Sequence, residues 1–314
     1  MPVVGLGTWK IGKDEVANTV YEAIRAGVRH LDCACDYGNE VEVGHGIKRA
    51  IADGICTRQD LWITSKLWNT YHAREHVKPA CQKSLSDMDL DYFDLYLIHF
   101  PISQRFVPIE VRYPPEWIYD PTSENPRIEL QPVPYAETWA GMEDLVNEGL
   151  VKNIGVANLV AQSLMDLMSY CRIRPVVNQV EMHPYLVQAE LLEYCEIAGI
   201  HVTAFSPLGS SSYMVFGMDG GRGTGVLKEA AIAQIAARKG KSPAQIVLRW
   251  HIQRGVSIIP KSSKVERIVE NFSLFDFDLS EEEMKVITEM DCNARFNNPG
   301  VFCKGMGGAI PIFG

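Results

Sequence analysis

Asp32, Tyr37, Lys66 and His99 stand just past the ends of short apolar runs in the first third of this 314-residue chain. Taken singly, each has a plain structural reading: a loop cap, a packed ring, a solvated ion pair, a core histidine. Taken together they describe one piece of chemistry. A tyrosine is a weak acid, with an unperturbed pKa of about 10. An ammonium beside it stabilises the phenolate and draws that value down. Lys66 supplies the ammonium, and Asp32 supplies a countercharge to hold it in place. His99 can orient a carbonyl oxygen by hydrogen bonding. The sum is a general acid aimed at a carbonyl. No side chain donates hydride, so such a site calls for a cofactor that does.

A second group lies near the other end of the chain. Ile259-Pro260-Lys261-Ser262-Ser263 is followed by Arg267 and Asn271. A strand running into a helix start there would present backbone N–H groups and two positive side chains to an anion such as a phosphate.

Both groups need a scaffold that brings strand ends together. Short β-branched or apolar runs fall at 3–6, 30–32, 61–65, 92–98, 153–156, 176–180, 201–205 and 256–259. Between and after them lie stretches with helical spacing of apolar residues: 14–26, 40–52, 76–88, 136–148, 161–170, 189–198, 226–239, 264–271 and 280–290. Pro79 is expected in the first turn of its helix, where a missing N–H costs nothing. Ser242-Pro243 reads as an N-cap followed by proline at the first helical position. Ser280 and Glu283 have capping-box spacing. Eight strand–helix alternations predict a parallel eight-stranded (β/α)8 TIM barrel, one domain over 1–314, with long loops on its C-terminal face. An open doubly wound sheet is opposed by the missing G-x-G-x-x-G after the first strand: Gly5-x-Gly7 runs into Trp9 instead of a helix.

Composition narrows the function classes. The net charge of −9 disfavours nucleic acid and anionic membrane as partners. No apolar run approaches the roughly 18 residues of a membrane span. The N-terminus lacks a basic stretch followed by an apolar one, so no signal peptide is expected and the cytoplasm is the default location. Eight cysteines without a C-x-x-C pair suit reduced thiols, with no disulfide framework and no metal site.

At this point the chain resembles the aldo-keto reductase superfamily, and within it the yeast-type xylose reductases and aldose reductases. The resemblance rests on Gly5-Leu-Gly-Thr8-Trp9, Asp32-x-Ala-x-x-Tyr37-Gly-Asn-Glu, Ser65-Lys-Leu-Trp-Asn69, Leu97-Ile-His99-Phe-Pro and Ile259-Pro-Lys261-Ser262. It also covers Phe106-Val-Pro-Ile-Glu110, Tyr113-Pro-Pro115, Arg295-Phe-Asn297 and Ile310-Pro-Ile-Phe313. It implies NADPH-dependent reduction of an aldehyde or xylose-like open-chain aldose, with NADH as a weak second cofactor. Tyr37, Lys66, Asp32 and His99 would be the catalytic set. Asn158 and Gln179 would hold the nicotinamide carboxamide, and Phe205 would stack on its ring. Thr8, Trp9, Ser206, Leu208 and Ser210 would contact the cofactor. Lys261, Ser262, Ser263 and Arg267 would hold its 2′-phosphate, and Glu270 and Asn271 its adenine. Trp9, Asp36, Trp68, Phe100 and Asn297 would line the substrate pocket.

The chain departs from the family pattern at three points. Ala157 stands where the family commonly has Ser before the carboxamide-binding Asn, which removes a hydrogen bond worth roughly 0.5–1.5 kcal/mol. Phe205 replaces the usual Tyr. The sequence opens at the first barrel strand, a place that the family usually reaches through a preceding hairpin. Rival readings are a reductase of phosphorylated sugars using Arg105 or Arg112, a Schiff-base lyase using Lys66, and a non-catalytic relative. Monomer and homodimer are both open.

Overall fold

The computed structural model describes residues 1–209, 213, 225–308 and 310–313. Among them the apolar runs form eight strands: β1 (Leu6–Gly7), β2 (His30–Asp32), β3 (Trp62–Leu67), β4 (Leu95–Ile98), β5 (Ile154–Ala157), β6 (Val177–Glu181), β7 (His201–Phe205) and β8 (Ser257–Ile258). Each pairs in parallel with the next, in sequence order. The first and last strands meet as well. Gly5 N donates to Ile258 O at 2.8 Å, Ile258 N donates to Val3 O at 2.9 Å, and Val4 bridges Ile258 in parallel. The sheet therefore closes on itself, as a barrel must to leave no edge.

Around it run α1 (Lys13–Arg25), α2 (Glu40–Ala52), α3 (Arg74–Met88), α4 (Tyr135–Asn147), α5 (Ala161–Tyr170), α6 (Ala189–Ala198), α7 (Ala230–Lys239), α8 (Pro243–Gln253), α9 (Val265–Phe272), α10 (Glu281–Thr288) and the short α11 (Pro299–Phe302). The helix starts read from the sequence are present as capping geometry. Ser242 accepts from Gln245 N with Pro243 at the first position, and Ser280 and Glu283 cap reciprocally. The stretch 226–239 divides into a 3-10 turn (Val226–Lys228) and α7.

Two expectations need correction. Helix α3 begins at Arg74, so Pro79 sits in the second turn and one intrahelical bond is lost there. The first strand is shorter and starts later than 3–6, because only Leu6 and Gly7 reach the β2 ladder.

Side chains of β3 alternate between two environments. Lys66 points into the barrel, toward Asp32 on β2, while Ser65 points to the helical layer and meets Glu40 at 2.6 Å. Helix α2, which carries Glu40, packs close to its neighbours. A Cβ on Gly46 would lie 2.5 Å from Ala17 O of α1, and one on Gly44 would lie 2.5 Å from Met88 O of α3. Glycine is required at both for backbone approach. All eight cysteines are free thiols. Among the described residues no helix is long and apolar enough to cross a membrane, and no group of three or more His, Cys, Asp or Glu could hold a metal.

Candidate active site

The C-terminal ends of the strands open into a cavity of about 990 Å3. Beneath its floor, behind Asp32 and Tyr37 and off the cavity surface, lies Lys66, fully buried. Its ammonium reaches Asp32 Oδ1 at 2.6 Å, Cys33 O at 2.8 Å and Tyr37 Oη at 3.2 Å. An ammonium has three N–H groups, and all three are engaged. Gln179 Nε2 donates to the other Asp32 oxygen at 2.6 Å, so the carboxylate is bound on both sides. Backbone geometry presents the phenol. After β2 the chain turns through a 3-10 segment (Cys35–Tyr37) and leaves through Gly38 at φ +68°.

Burial dominates the acid–base state of this floor. It pushes the Tyr37 phenol well above 10, and the negative fields of Asp32 and Asp36 add to the shift. Desolvation therefore opposes the lowering expected from Lys66. The phenol stays protonated, as a proton donor must. Burial, with the Lys66 charge, holds His99 well below 6.5, so its imidazole is neutral. The His99 and Tyr37 rings meet edge-on at 5.9 Å. Burial, then Glu116, raises the Asp36 carboxyl to about 7.

From this floor the cavity runs past Asn158, Gln179 and Phe205 to Lys261, Ser262, Arg267, Glu270 and Asn271. Asn158 sits in the left-handed region, at φ +64°, and donates to His99 O at 2.8 Å. Its buried Oδ1 has no partner, and Ala157 beside it offers no hydroxyl. Ser206, at φ +49°, and Leu208 follow β7 along the same wall. The Glu270 carboxylate accepts a hydrogen bond from the Ser242 hydroxyl. On the other side of Tyr37 lie Trp9, Asp36, Phe100 and Asn297.

The family model for the aldo/keto reductase family matches residues 3–291. The chain belongs to that family. Relatives of this aldo-keto reductase include a protein named NAD(P)H-dependent D-xylose reductase from Pachysolen tannophilus, 48% identical over 100% of this chain and 96% of its own. Another, named NADH-dependent D-xylose reductase, from Candida parapsilosis, is 44% identical over 100% of this chain and 94% of its own. Among solved structures, a Bombyx mori aldo-keto reductase in complex with NADP superposes with a TM-score of 0.83 at 39% identity, covering 96% of this chain and 92% of that one.

Not every residue expected at the site of this aldo-keto reductase reaches the cavity. Trp68 does not line it. The indole is fully buried behind the wall, donates to Glu116 O at 3.0 Å and packs edge-on against Trp117 at 5.0 Å. Trp117, from the long loop after β4, supplies the cavity surface instead. Thr8 is buried too, its hydroxyl on Asp32 O at 3.0 Å, and supports the floor from behind. Ser263 is off the wall, and Ser210 lies outside the described residues. Asn158 and Gln179, expected to hold a carboxamide, are bonded to His99 O and Asp32 here.

Sequence reading missed Lys10, Tyr213 and Phe302, all on the cavity wall. Lys10 sits in a turn and Phe302 ends the short helix α11, segments too short for periodicity to mark them. The one available signal was the Trp9-Lys10 pair directly after β1. Lys10 Nζ lies 4.2 Å from the Trp9 ring centre, and burial, then Lys261, lowers its pKa. Arg105 and Arg112, the basic groups that a phosphosugar reading needs, are off the wall. Arg105 pairs with Glu129 at 2.8 Å, and Arg112 donates to Ile118 O and Tyr119 O.

Glu181, at the end of β6, was not singled out and is fully buried. Its Oε1 bonds His183 Nε2 at 2.9 Å and Phe296 N at 2.8 Å, and its Oε2 accepts from Asn297 N at 2.8 Å. The C-terminal segment that carries Asn297 over the cavity is thereby fastened to the barrel.

Proposed function

We propose that this protein reduces an aldehyde or an open-chain, xylose-like aldose to its alcohol with NADPH, Tyr37 giving the proton. The observation that carries the proposal is the Lys66 ammonium, held by Asp32 and Cys33 O with its third N–H on Tyr37 Oη. As a proton leaves the phenol, charge develops on an oxygen that already has a fixed cation beside it. Neutral His99 faces the same chamber and orients the carbonyl oxygen by donating its imidazole N–H.

The residues present fit a dinucleotide. The orphaned Asn158 Oδ1 is a buried acceptor waiting for a donor, as a carboxamide would be. Asn158 and Gln179 would hold that amide, and Phe205 would cover the ring. Ser206 and Leu208 would follow the chain of phosphates. Lys261, Ser262 and Arg267 at the start of α9 would hold a 2′-phosphate, with Glu270 and Asn271 at the adenine. When bound, the dihydronicotinamide supplies the hydride. The charges of Lys261 and Arg267 favour NADPH over NADH. The relatives named as NAD(P)H-dependent and NADH-dependent xylose reductases point to the same cofactor class and to aldoses. Trp9, Trp117 and Phe100 give the substrate end an apolar wall, and Asp36 and Asn297 give it polar contacts for hydroxyls. Eight free thiols suit a reducing compartment, the cytosol.

The test is NADPH consumption followed by absorbance with xylose and glyceraldehyde. The Tyr37→Phe enzyme should still bind NADPH, with turnover reduced by about 10²-fold or more. Full turnover in that variant would remove Tyr37 from the role of acid.

A further inference from the structure

Resting on the reductase reading, we propose that the substrate end of the cavity is built for aldehydes that carry a positively charged nitrogen near the carbonyl. Asp36 is the anionic contact and the surrounding rings are the wall. Asp36 directly precedes Tyr37 on the Cys35–Tyr37 turn, so its carboxylate enters the chamber in which the phenol acts. No hydrogen bond or ion pair from a described residue satisfies it. Burial, and then the like charge of Glu116, raises its pKa to about 7. A cation placed beside such a carboxylate favours its charged form.

Of the positive side chains on the wall, none is hydrogen-bonded to or ion-paired with Asp36. Lys261 and Arg267 stand at α9, and Lys10 lies over the Trp9 ring with Lys261 as its charged neighbour. Lys66 has its three donors engaged elsewhere. The rest of the chamber is aromatic. Trp117 meets Phe100 at 5.3 Å and Phe302 at 5.2 Å, both edge-on, and Trp9 lines the same cavity, its ring 6.5 Å from that of Tyr37. Aromatic faces around a carboxylate bind an alkylammonium through cation–π contact as well as charge. Neutral polyols can use Asp36 as a hydrogen-bond acceptor. Phosphorylated or carboxylated aldehydes meet two like charges, Asp36 and Glu116. The nitrogen takes no part in the reaction: the carbonyl carbon gains hydride, its oxygen gains the Tyr37 proton, and the C–N bonds are untouched.

An isosteric pair isolates the charge. Trimethylammonioacetaldehyde and 3,3-dimethylbutanal differ only in having N⁺ or C at the branched centre, and the cation keeps its charge at every pH. With NADPH as cofactor and rates expressed per unhydrated aldehyde, kcat/KM for the cation should match or exceed that for the neutral isostere. Asp36→Asn should lower the cation-to-neutral ratio by about tenfold or more, and Glu116→Gln should lower it less. Because aldehyde hydration is a property of the substrate, it cancels between variants. The product alcohols give a second reading on the unaltered enzyme: the trimethylammonio alcohol should inhibit more strongly than 3,3-dimethylbutan-1-ol. A ratio unmoved by Asp36→Asn, or equal inhibition by the two alcohols, overturns the proposal. Loss of reduction with both aldehydes would overturn the reductase reading beneath it, a separate outcome from reduction of the neutral one alone, which rejects only the charge selectivity.

Discussion

Glu40 offers a sharp test of how burial governs this molecule. It is 4% exposed between α2 and β3, one oxygen on the Ser65 hydroxyl and the other without a hydrogen-bond partner. Burial raises its pKa from 4.5 to about 7, against the opposing pull of the Ser65 and Ser84 hydroxyls. In the unfolded chain the carboxyl ionises in the ordinary range, so between these two values the folded state holds a proton that the unfolded state has lost. That contribution to stability is complete below the unfolded pKa. It declines as pH rises, and is gone above about 7. Working the linkage from 4.5 and about 7 gives a loss of about 2.5 kcal/mol between pH 5 and pH 8. Glu40→Gln removes the titration while keeping an acceptor for Ser65. Its amide N–H groups add a burial cost of about 1–3 kcal/mol, the same at every pH. Urea unfolding of both proteins at pH 5, 6, 7 and 8 reads the difference directly. The variant should gain on the parent by about 2.5 kcal/mol across that range, whichever is more stable at pH 5. A stability difference that stays constant from pH 5 to 8 would refute the buried, protonated Glu40.

Two further predictions concern the ends of the cavity. Replacing Lys261 and Arg267 by Ala should weaken NADPH binding by about tenfold or more, leave NADH affinity nearly unchanged and flatten the salt dependence of NADPH binding; equal losses for both cofactors in titration would reject a 2′-phosphate role. Glu181→Ala strands the buried N–H groups of Phe296 and Asn297 at a cost of about 1–3 kcal/mol each, so Tm should fall by about 4 °C or more. KM for the aldehyde should rise more than kcat falls, with part of the loss restored in Glu181→Gln, and an unchanged KM would separate the clamp from the pocket.

Much of this architecture was legible because it depends on local chemistry. Ser242-Pro243 and Ser280 with Glu283 start helices by rules that operate within one turn, and the alternation of apolar runs with amphipathic stretches specifies a parallel barrel. The meeting of Asp32, Lys66 and Tyr37 follows from the same source, because consecutive parallel strands bring their ends side by side. What escaped depends on direction and on solvent. Trp68 was expected on the cavity wall, but one residue past β3 the chain aims its ring behind the wall, and no spacing rule reports that orientation. Phe302 arrives from the short helix α11, whose placement is set by tertiary packing against Trp117. The Tyr37 acid state was only partly legible, because a sequence lists the neighbouring charge but not the water removed from around it. Helix α3 starts two residues early and takes Pro79 into its interior, where packing of the helix outweighs one missing hydrogen bond.

The fastening at Glu181 has a consequence for how this pocket can change. Its carboxylate holds the C-terminal segment by main-chain N–H groups, those of Phe296 and Asn297. Every residue but proline carries that group. The side chains at these two positions can therefore be exchanged for others without releasing the segment from the barrel. Where the segment sits and what it presents to a substrate are set by different atoms, so the surface over the reacting carbonyl is free to be rewritten while its position is kept.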